Sequence, residues 1–393
     1  MITLDRRRIA VFVAGASAFL DMYCTQALLP DLAREFHASA AEVGLTVTMA
    51  TLATALVAPL IGGLADMVGR KRVIVAGALL LVLPTLGIAL ADTLSTVLVL
   101  RFLQGLCIPA IFTVTVAYVG EEWPGHEMSA VIGLYTSGTV LGGMLGRLVT
   151  ALAADVLGWR EAFVILGLIN LAAGLALWAM LPPARNFKPA DSLKASLHAV
   201  AMHLRNPCLV ATCGIGFTVL FALIASFTYA TFYLAQPPFS LSTAALGFIF
   251  VVYLMGVATA PVAGALFARI GRVGGMALAV GCSSVGLLLT LVTWLPAVIA
   301  GLALLAAGIF ISQTAAMSTI NATVTHSRSA AVGLYVTSYY LGGSVGAVAA
   351  GLVWQAWGWP GCVALVIAIL LAGLGLAAMF WRTKPLPAPG ATG

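Results

Sequence analysis

Apolar residues run along this chain in stretches of about twenty, interrupted by turns and charges. No side chain ionises from Val43 to Ile61, nor from Val73 to Ala91. Between these runs lies one short charged turn, Gly62-Gly63-Leu64-Ala65-Asp66-Met67-Val68-Gly69-Arg70-Lys71-Arg72. Continuously apolar runs of about 20 residues match a helix that crosses a bilayer. Barrel strands would alternate apolar and polar residues instead. Reading the interruptions as loops predicts twelve spans, over residues 9–30, 42–62, 73–91, 95–118, 129–152, 160–181, 207–234, 243–266, 274–293, 297–321, 329–353 and 360–381. The longest polar stretch, from Pro182 to Asn206, separates six spans from six, and its part from Leu193 to Leu204 is expected to lie on the membrane surface as a short helix.

The expected fold is an all-α membrane protein with twelve transmembrane helices in two pseudo-symmetric six-helix bundles. Its expected units are an N-terminal bundle over 1–181, a linker over 182–206, a C-terminal bundle over 207–381 and a tail over 382–393. Composition agrees with this. The 393 residues are 62% hydrophobic and 8% charged, where soluble domains carry about 25% charge.

Basic residues set the expected orientation. One set of alternate segments holds fifteen of the nineteen Lys and Arg: Arg6 to Arg8, Arg70 to Arg72, Arg185, Lys188, Lys194, Arg205, Arg269, Arg272, Arg328, Arg382 and Lys384. The other set holds Arg34 and Arg160, and Arg101 and Arg147 lie within spans. Both termini are therefore expected in the cytoplasm of a bacterial cell, with the chain multi-pass in the inner membrane. The Arg6-Arg7-Arg8 start precedes a run too long for a signal peptide and without a small-residue cleavage site, so it reads as an uncleaved first span.

The two halves repeat. Ser129-Ala130, Gly133-Leu134-Tyr135, Leu141-Gly142-Gly143, Gly146 and Gly158-Trp159 recur 200 residues later as Ser329-Ala330, Gly333-Leu334-Tyr335, Leu341-Gly342-Gly343, Gly346 and Gly358-Trp359. The charged turn has an echo in Gly264 to Arg272, with Ala268 where the first copy has its acid.

The turn Gly62-x-x-x-Asp66-x-x-Gly69-Arg70-Lys71 resembles the loop between helices 2 and 3 of major facilitator superfamily transporters. Arg101-Phe102-Leu103-Gln104-Gly105 is similar to the R-x-x-Q-G motif of helix 4 in proton-coupled members. Gly138-x-x-x-Gly142-Gly143-x-x-Gly146-Arg147 resembles the helix 5 motif of the antiporters, with Gly143 in place of its proline and Arg147 in place of its last glycine. Together they resemble the twelve-helix drug/proton antiporter (DHA1-like) branch. That resemblance implies a secondary active transporter, proton-coupled and exporting by antiport. A symporter or uniporter for a small metabolite, or a sensor without transport, stays open. It also implies that Asp66 docks at the start of the span near Ser329, that Arg70 or Lys71 pairs with Glu121 or Glu122, and that Gly62 and Gly69 shape this conformational latch.

Twelve of the thirteen acids lie in predicted loops or at helix ends, and the exception is Asp21, near the middle of the first span. A carboxylate at that depth is costly and marks a pathway. It is either the proton-coupling group, with Arg101 as partner, or one end of a static ion pair. Arg147 adds a second cation, and the local excess of positive charge suits an anionic or zwitterionic solute. Tyr135, Tyr335, Tyr339 and Gln26 are candidate substrate-cavity residues.

Other chemistry is not written here. No G-x-x-x-x-G-K-[ST] phosphate loop is present. The five histidines are scattered without metal spacing, and the six cysteines read as small packing residues. The expectation is a protein that is no enzyme, needs no cofactor or metal, binds no nucleic acid and works as a monomer, its partners being a small-molecule substrate, protons and the lipid bilayer.

Overall fold

A computed structural model describes residues 5–184, 201–324 and 328–381. Most of the linker with its expected surface helix, the tail after Trp381 and residues 325–327 lie outside them. All regular structure among the described residues is helical. We number the spans α1 (Arg6–Glu35), α2 (Ala40–Val68), α3 (Arg70–Ala89), α4 (Leu94–Glu122), α5 (Gly125–Val156), α6 (Trp159–Met180) and α7 (Pro207–Ala235). Then come α8 (residues 243–270) and α9 (272–289), which share a continuous helical path broken only at Gly271. After α10 (Leu295–Thr323) follow α11 (328–357) and α12 (359–380), joined through Gly358. The joints are glycines because φ is +100° at Gly69, +118° at Gly158, +72° at Gly271 and +59° at Gly358, a region that disfavours a Cβ. The repeated Gly158-Trp159 and Gly358-Trp359 thus mark the same turn in both halves.

The glycine stripe explains why the halves look alike. A Cβ at Gly138, Gly142 or Gly146 would fall inside the van der Waals shell of the carbonyl oxygens of Phe12, Ala16 and Leu20, so α5 lies directly on the backbone of α1. In the second half Gly342 and Gly346 press α11 onto the carbonyls of Phe217 and Phe221 of α7 in the same way. Small residues allow this close approach in a bilayer, where helix association depends on packing.

Call the side that carries Arg6–Arg8, the Asp66–Arg70 turn and Glu121–Glu122 the basic face. Hydrogen bonds joining the halves lie on the other side or at mid-depth. Thr243 Oγ1 donates to Asp31 at 2.6 Å and the Ala244 amide to Asp155 at 3.2 Å. Thr51 and Ser344 hydroxyls meet at 2.9 Å, and Gln26 Nε2 donates to Thr228 at 3.0 Å. Among the described residues, no hydrogen bond or ring contact joins the halves closer to the basic face than the Phe112–Tyr340 ring pair. Every ion pair between described residues falls within the first half. Among the described residues, the hydrogen bonds that join the halves thus lie at mid-depth and on the side away from the basic face.

The first span differs from the unbroken helix expected over 9–30. Its α-helix stops at Met22, passes through a 3₁₀ turn at Gln26–Leu28 and resumes over Leu29–Glu35. Pro30 has no N–H to give back to the preceding turn. Side chains from other helices take the freed carbonyls, the condition for broken backbone at membrane depth.

Candidate functional site

Asp21 sits at that break with no exposed surface. Its Oδ1 accepts hydrogen bonds from Thr85 Oγ1 of α3 at 2.9 Å and Gln104 Nε2 of α4 at 3.0 Å. Its Oδ2 is buried and has no hydrogen-bond partner. Gln104 Nε2 also donates to Thr85 at 2.8 Å, and Asn170 of α6 donates to Thr85 at 3.4 Å. Four helices therefore converge on one carboxyl.

Arg101 lies beside it but does not form the expected ion pair with the carboxylate. Its Nη1 donates to the Asp21 backbone carbonyl at 2.8 Å, to Gln104 Oε1 at 2.7 Å and to Cys24 Sγ at 3.4 Å. Nη2 donates to the Met22 carbonyl at 2.7 Å and Nε to the Thr46 carbonyl at 3.0 Å. The guanidinium fork caps the C-terminal end of the interrupted helix, where backbone carbonyls carry partial negative charge. Thr150 Oγ1 takes the next free carbonyl, that of Cys24, at 2.9 Å. Arg101 reaches Asp21 chemically through Gln104, which holds both.

Arg147 lies elsewhere, one turn above the Gly143 carbonyl that it bonds. Its Nε donates to Gln26 Oε1 at 2.7 Å, and Gln26 reaches on to Thr228 of α7. Three rings face the guanidinium with their centroids each 4.7 Å from Cζ: Tyr23 of α1, and Phe250 and Tyr253 of α8. Both halves build this box, and no carboxylate of the described residues pairs with the cation.

Of the candidate cavity tyrosines, Tyr135 is buried and donates to the Phe112 carbonyl at 3.1 Å. Tyr335 is buried with an unpartnered hydroxyl, and its ring stacks on Tyr339 at 6.0 Å. Tyr339 meets Tyr340 edge-on at 5.5 Å. Together with Phe112 against Tyr340, these rings line the seam between the halves.

At the basic face, Arg70 Nη2 lies 2.7 Å from Asp66 and 2.7 Å from Glu121, with Nε also donating to Glu121 at 3.2 Å. The Asp66 contact has ion-pair distance without hydrogen-bond alignment, leaving Asp66 Oδ1 without a hydrogen-bond donor. Glu122 takes Arg7 instead of Arg70 or Lys71, at 3.4 Å, while Arg8 takes Glu127 at 2.6 Å. Lys71 forms no ion pair with a described residue. Gly62 has open space where a side chain would go, and Gly69 supplies the turn. The partner expected for Asp66, near Ser329, borders residues outside the described set.

Thr85, Phe250 and Tyr253 were not singled out from sequence, and Gln104 entered only as part of the R-x-x-Q-G motif, with no role of its own. Gln104 follows Arg101 by three residues, and Phe250 precedes Tyr253 by three, so a one-turn search around Arg101 would have singled out the first. Nothing local ties α8 to Arg147.

Comparison with known proteins agrees with this architecture. The sequence profile of the Major Facilitator Superfamily matches residues 11–256. The chain is 31% identical over 380 residues to the uncharacterized MFS-type transporter YybF of Bacillus subtilis (strain 168), covering 96% of this chain and 94% of that one. It is 32% identical over 370 residues to the inner membrane transport protein YnfM of Escherichia coli (strain K12), covering 94% and 89%. A crystal structure of a bacterial homologue of the human lysosomal transporter Spinster, inward-facing and unoccupied, has the same fold, with a TM-score of 0.78 at 16% identity and coverage of 96% and 98%. With a profile match across more than half its length and full-length relatives above 30% identity, this chain belongs to the major facilitator superfamily, a multi-pass membrane transporter and not an enzyme.

Proposed function

We propose that the protein is a proton-coupled secondary transporter that exports a small solute by alternating access, with Asp21 as the proton carrier. One observation carries this reading: a fully buried carboxyl at a helix break, bonded by two neutral donors on Oδ1 and by nothing on Oδ2. Oδ2 is the atom able to hold the transported proton. The neighbours of Asp21 come from α3 and α4, and Gln104 relays its state to the Arg101 clamp. A proton gained or lost at Oδ2 therefore changes the hydrogen bonding of the broken helix. The export direction rests on the resemblance of the helix 5 glycine spacing to the antiporter motif, from which Gly143 and Arg147 depart.

The fifteen-to-two distribution of basic residues supports a cytoplasmic basic face. We read the conformation described here as open to the cytoplasm, because the hydrogen bonds that join the halves among the described residues lie at mid-depth and on the outer side. In it Asp66 rests against Arg70, and docking of Asp66 at the start of α11 belongs to the opposite state, so that the turn acts as a latch.

The test is flux in oriented proteoliposomes under an imposed pH gradient, across a broad solute panel, for wild type and Asp21→Asn. Asparagine keeps the size and one oxygen but cannot carry the proton. Gradient-driven flux should vanish while solute binding and exchange persist. Unchanged gradient-driven flux in the variant would return Asp21 to a structural role.

A further inference from the structure

We infer that Arg147 and Tyr253 form the binding subsite for a carboxylate, and that the solute is a small aromatic or apolar monocarboxylate. The inference rests on the transporter reading for its direction of approach, and its chemistry stands on four observations about the box around Arg147.

The first is charge. The guanidinium has no exposed surface, and no acid of the described residues pairs with it. Three ring faces at 4.7 Å offset part of the cost of burying a cation, but they are neutral. A buried charge without a counter-charge is an uncompensated one. The second is hydrogen bonding. Nε and Nη1 are used by Gln26 and Gly143, while Nη2 is buried and unpartnered. The hydroxyl of Tyr253, whose ring lies on the same guanidinium, is also buried and unpartnered. A carboxylate has two oxygens to satisfy, and two free donors are present.

The third is the backbone that presents the rings. Residues Phe250–Leu254 form a 3₁₀ segment between the two α-helical parts of α8. With three residues per turn, side chains at i and i+3 stand in line. Phe250 and Tyr253 therefore face Arg147 together. The fourth is access. An apolar groove of about 430 Å³, open on one side and lined by Ser137 and Leu141 of α5 and by the exposed Leu254 and Ala258 of α8, begins where the 3₁₀ segment ends. That volume is in the range that holds a small organic molecule. It lies on the basic-face side of Arg147. Leu254, the last residue of the 3₁₀ segment that carries Phe250 and Tyr253, lines this groove, while Arg147 itself lies buried behind that segment. Because Arg147 belongs to the first half and Tyr253 to the second, a carboxylate held by both ties the halves together at the site.

The test uses equilibrium binding to the purified full-length protein in nanodiscs, without a gradient, with 2-naphthoate and its neutral amide 2-naphthamide as probes. Wild type should prefer the carboxylate by about 10- to 100-fold, the worth of a charge-assisted hydrogen bond. Arg147→Gln should abolish that preference. Gln26→Glu places a carboxylate on Arg147 Nε without changing side-chain size, so it should also abolish the preference while raising the melting temperature. This second variant decides the matter if the first does not fold. Equal affinity for the two probes, binding of neither, or an intact preference in Gln26→Glu would overturn the assignment. Naphthoate binding with no gradient-driven flux would instead sink proton coupling and leave this subsite standing.

Discussion

Replacing Arg101 separates two roles for one residue, a clamp on the broken helix and a carrier of protons. Its guanidinium donates to the carbonyls of Met22, Asp21 and Thr46 and to Gln104 Oε1, all within 3.0 Å. Thr46 keeps its own helical hydrogen bond and the Asp21 carbonyl still accepts from the Cys24 amide, so Arg101→Ala strips two buried acceptors, the Met22 carbonyl and Gln104 Oε1. Each costs about 1–3 kcal/mol, or about 2–6 kcal/mol together. Water entering the vacated space recovers part, which favours the low end. Even about 2 kcal/mol is a large share of a typical folding free energy of about 5–15 kcal/mol. Arg101→Lys keeps the charge, but its three donors radiate from one atom and cannot span carbonyls that the planar fork reaches on two sides. It should fold with a loss of about 1–3 kcal/mol. Thermal unfolding of purified protein in nanodiscs reads both: alanine recovered misfolded or with a strongly lowered melting temperature, lysine between it and wild type. An Arg101→Ala protein with the wild-type melting temperature, defective only in gradient-driven flux, would refute the clamp and leave the guanidinium as a coupling group.

Two further substitutions address the packing and the latch. Gly146→Ala drives a methyl into the Leu20 backbone, which cannot swing aside, and should destabilise by about 1–3 kcal/mol; Gly133→Ala on the same helix meets nothing within 4 Å and should stabilise by about 0.5–1 kcal/mol. Melting shifts of the same sign in both would mean that α5 does not rest on α1 through its glycines. Asp66→Asn removes an acid whose only described contact here is a poorly aligned one to Arg70, so thermal stability should change by less than about 1 kcal/mol. Spin labels at the exposed Met67 and Arg269, one on each half, should then report a population shifted to the longer distance; an unchanged distance distribution would remove the latch role.

Much of the architecture was readable before any coordinates. A bilayer accepts only long apolar helices or closed barrels, so the twelve runs, their charged turns and the 200-residue repeat write themselves into the order of residues. The glycines at 138, 142 and 146 announced a close helix contact because their spacing is a helical period. Asp21 stood out because an acid at that depth is expensive. Their partners were not legible. Arg101 meets the carbonyls of Asp21 and Met22 across 80 and 79 residues, and Arg147 meets Gln26 across 121. Neither pairing has a periodic signature. The break in α1 was hidden too, because the groups that make it tolerable belong to α4 and α5 and leave no trace in residues 22–26. Likewise Phe250 and Tyr253 look like ordinary packing residues until the 3₁₀ turn aligns them over a cation from the other half. Apolar periodicity is imposed on each helix separately by the lipid, and the chain alone determines it. Which polar group satisfies which is decided only when helices distant in sequence share a volume without water, and that belongs to the tertiary structure.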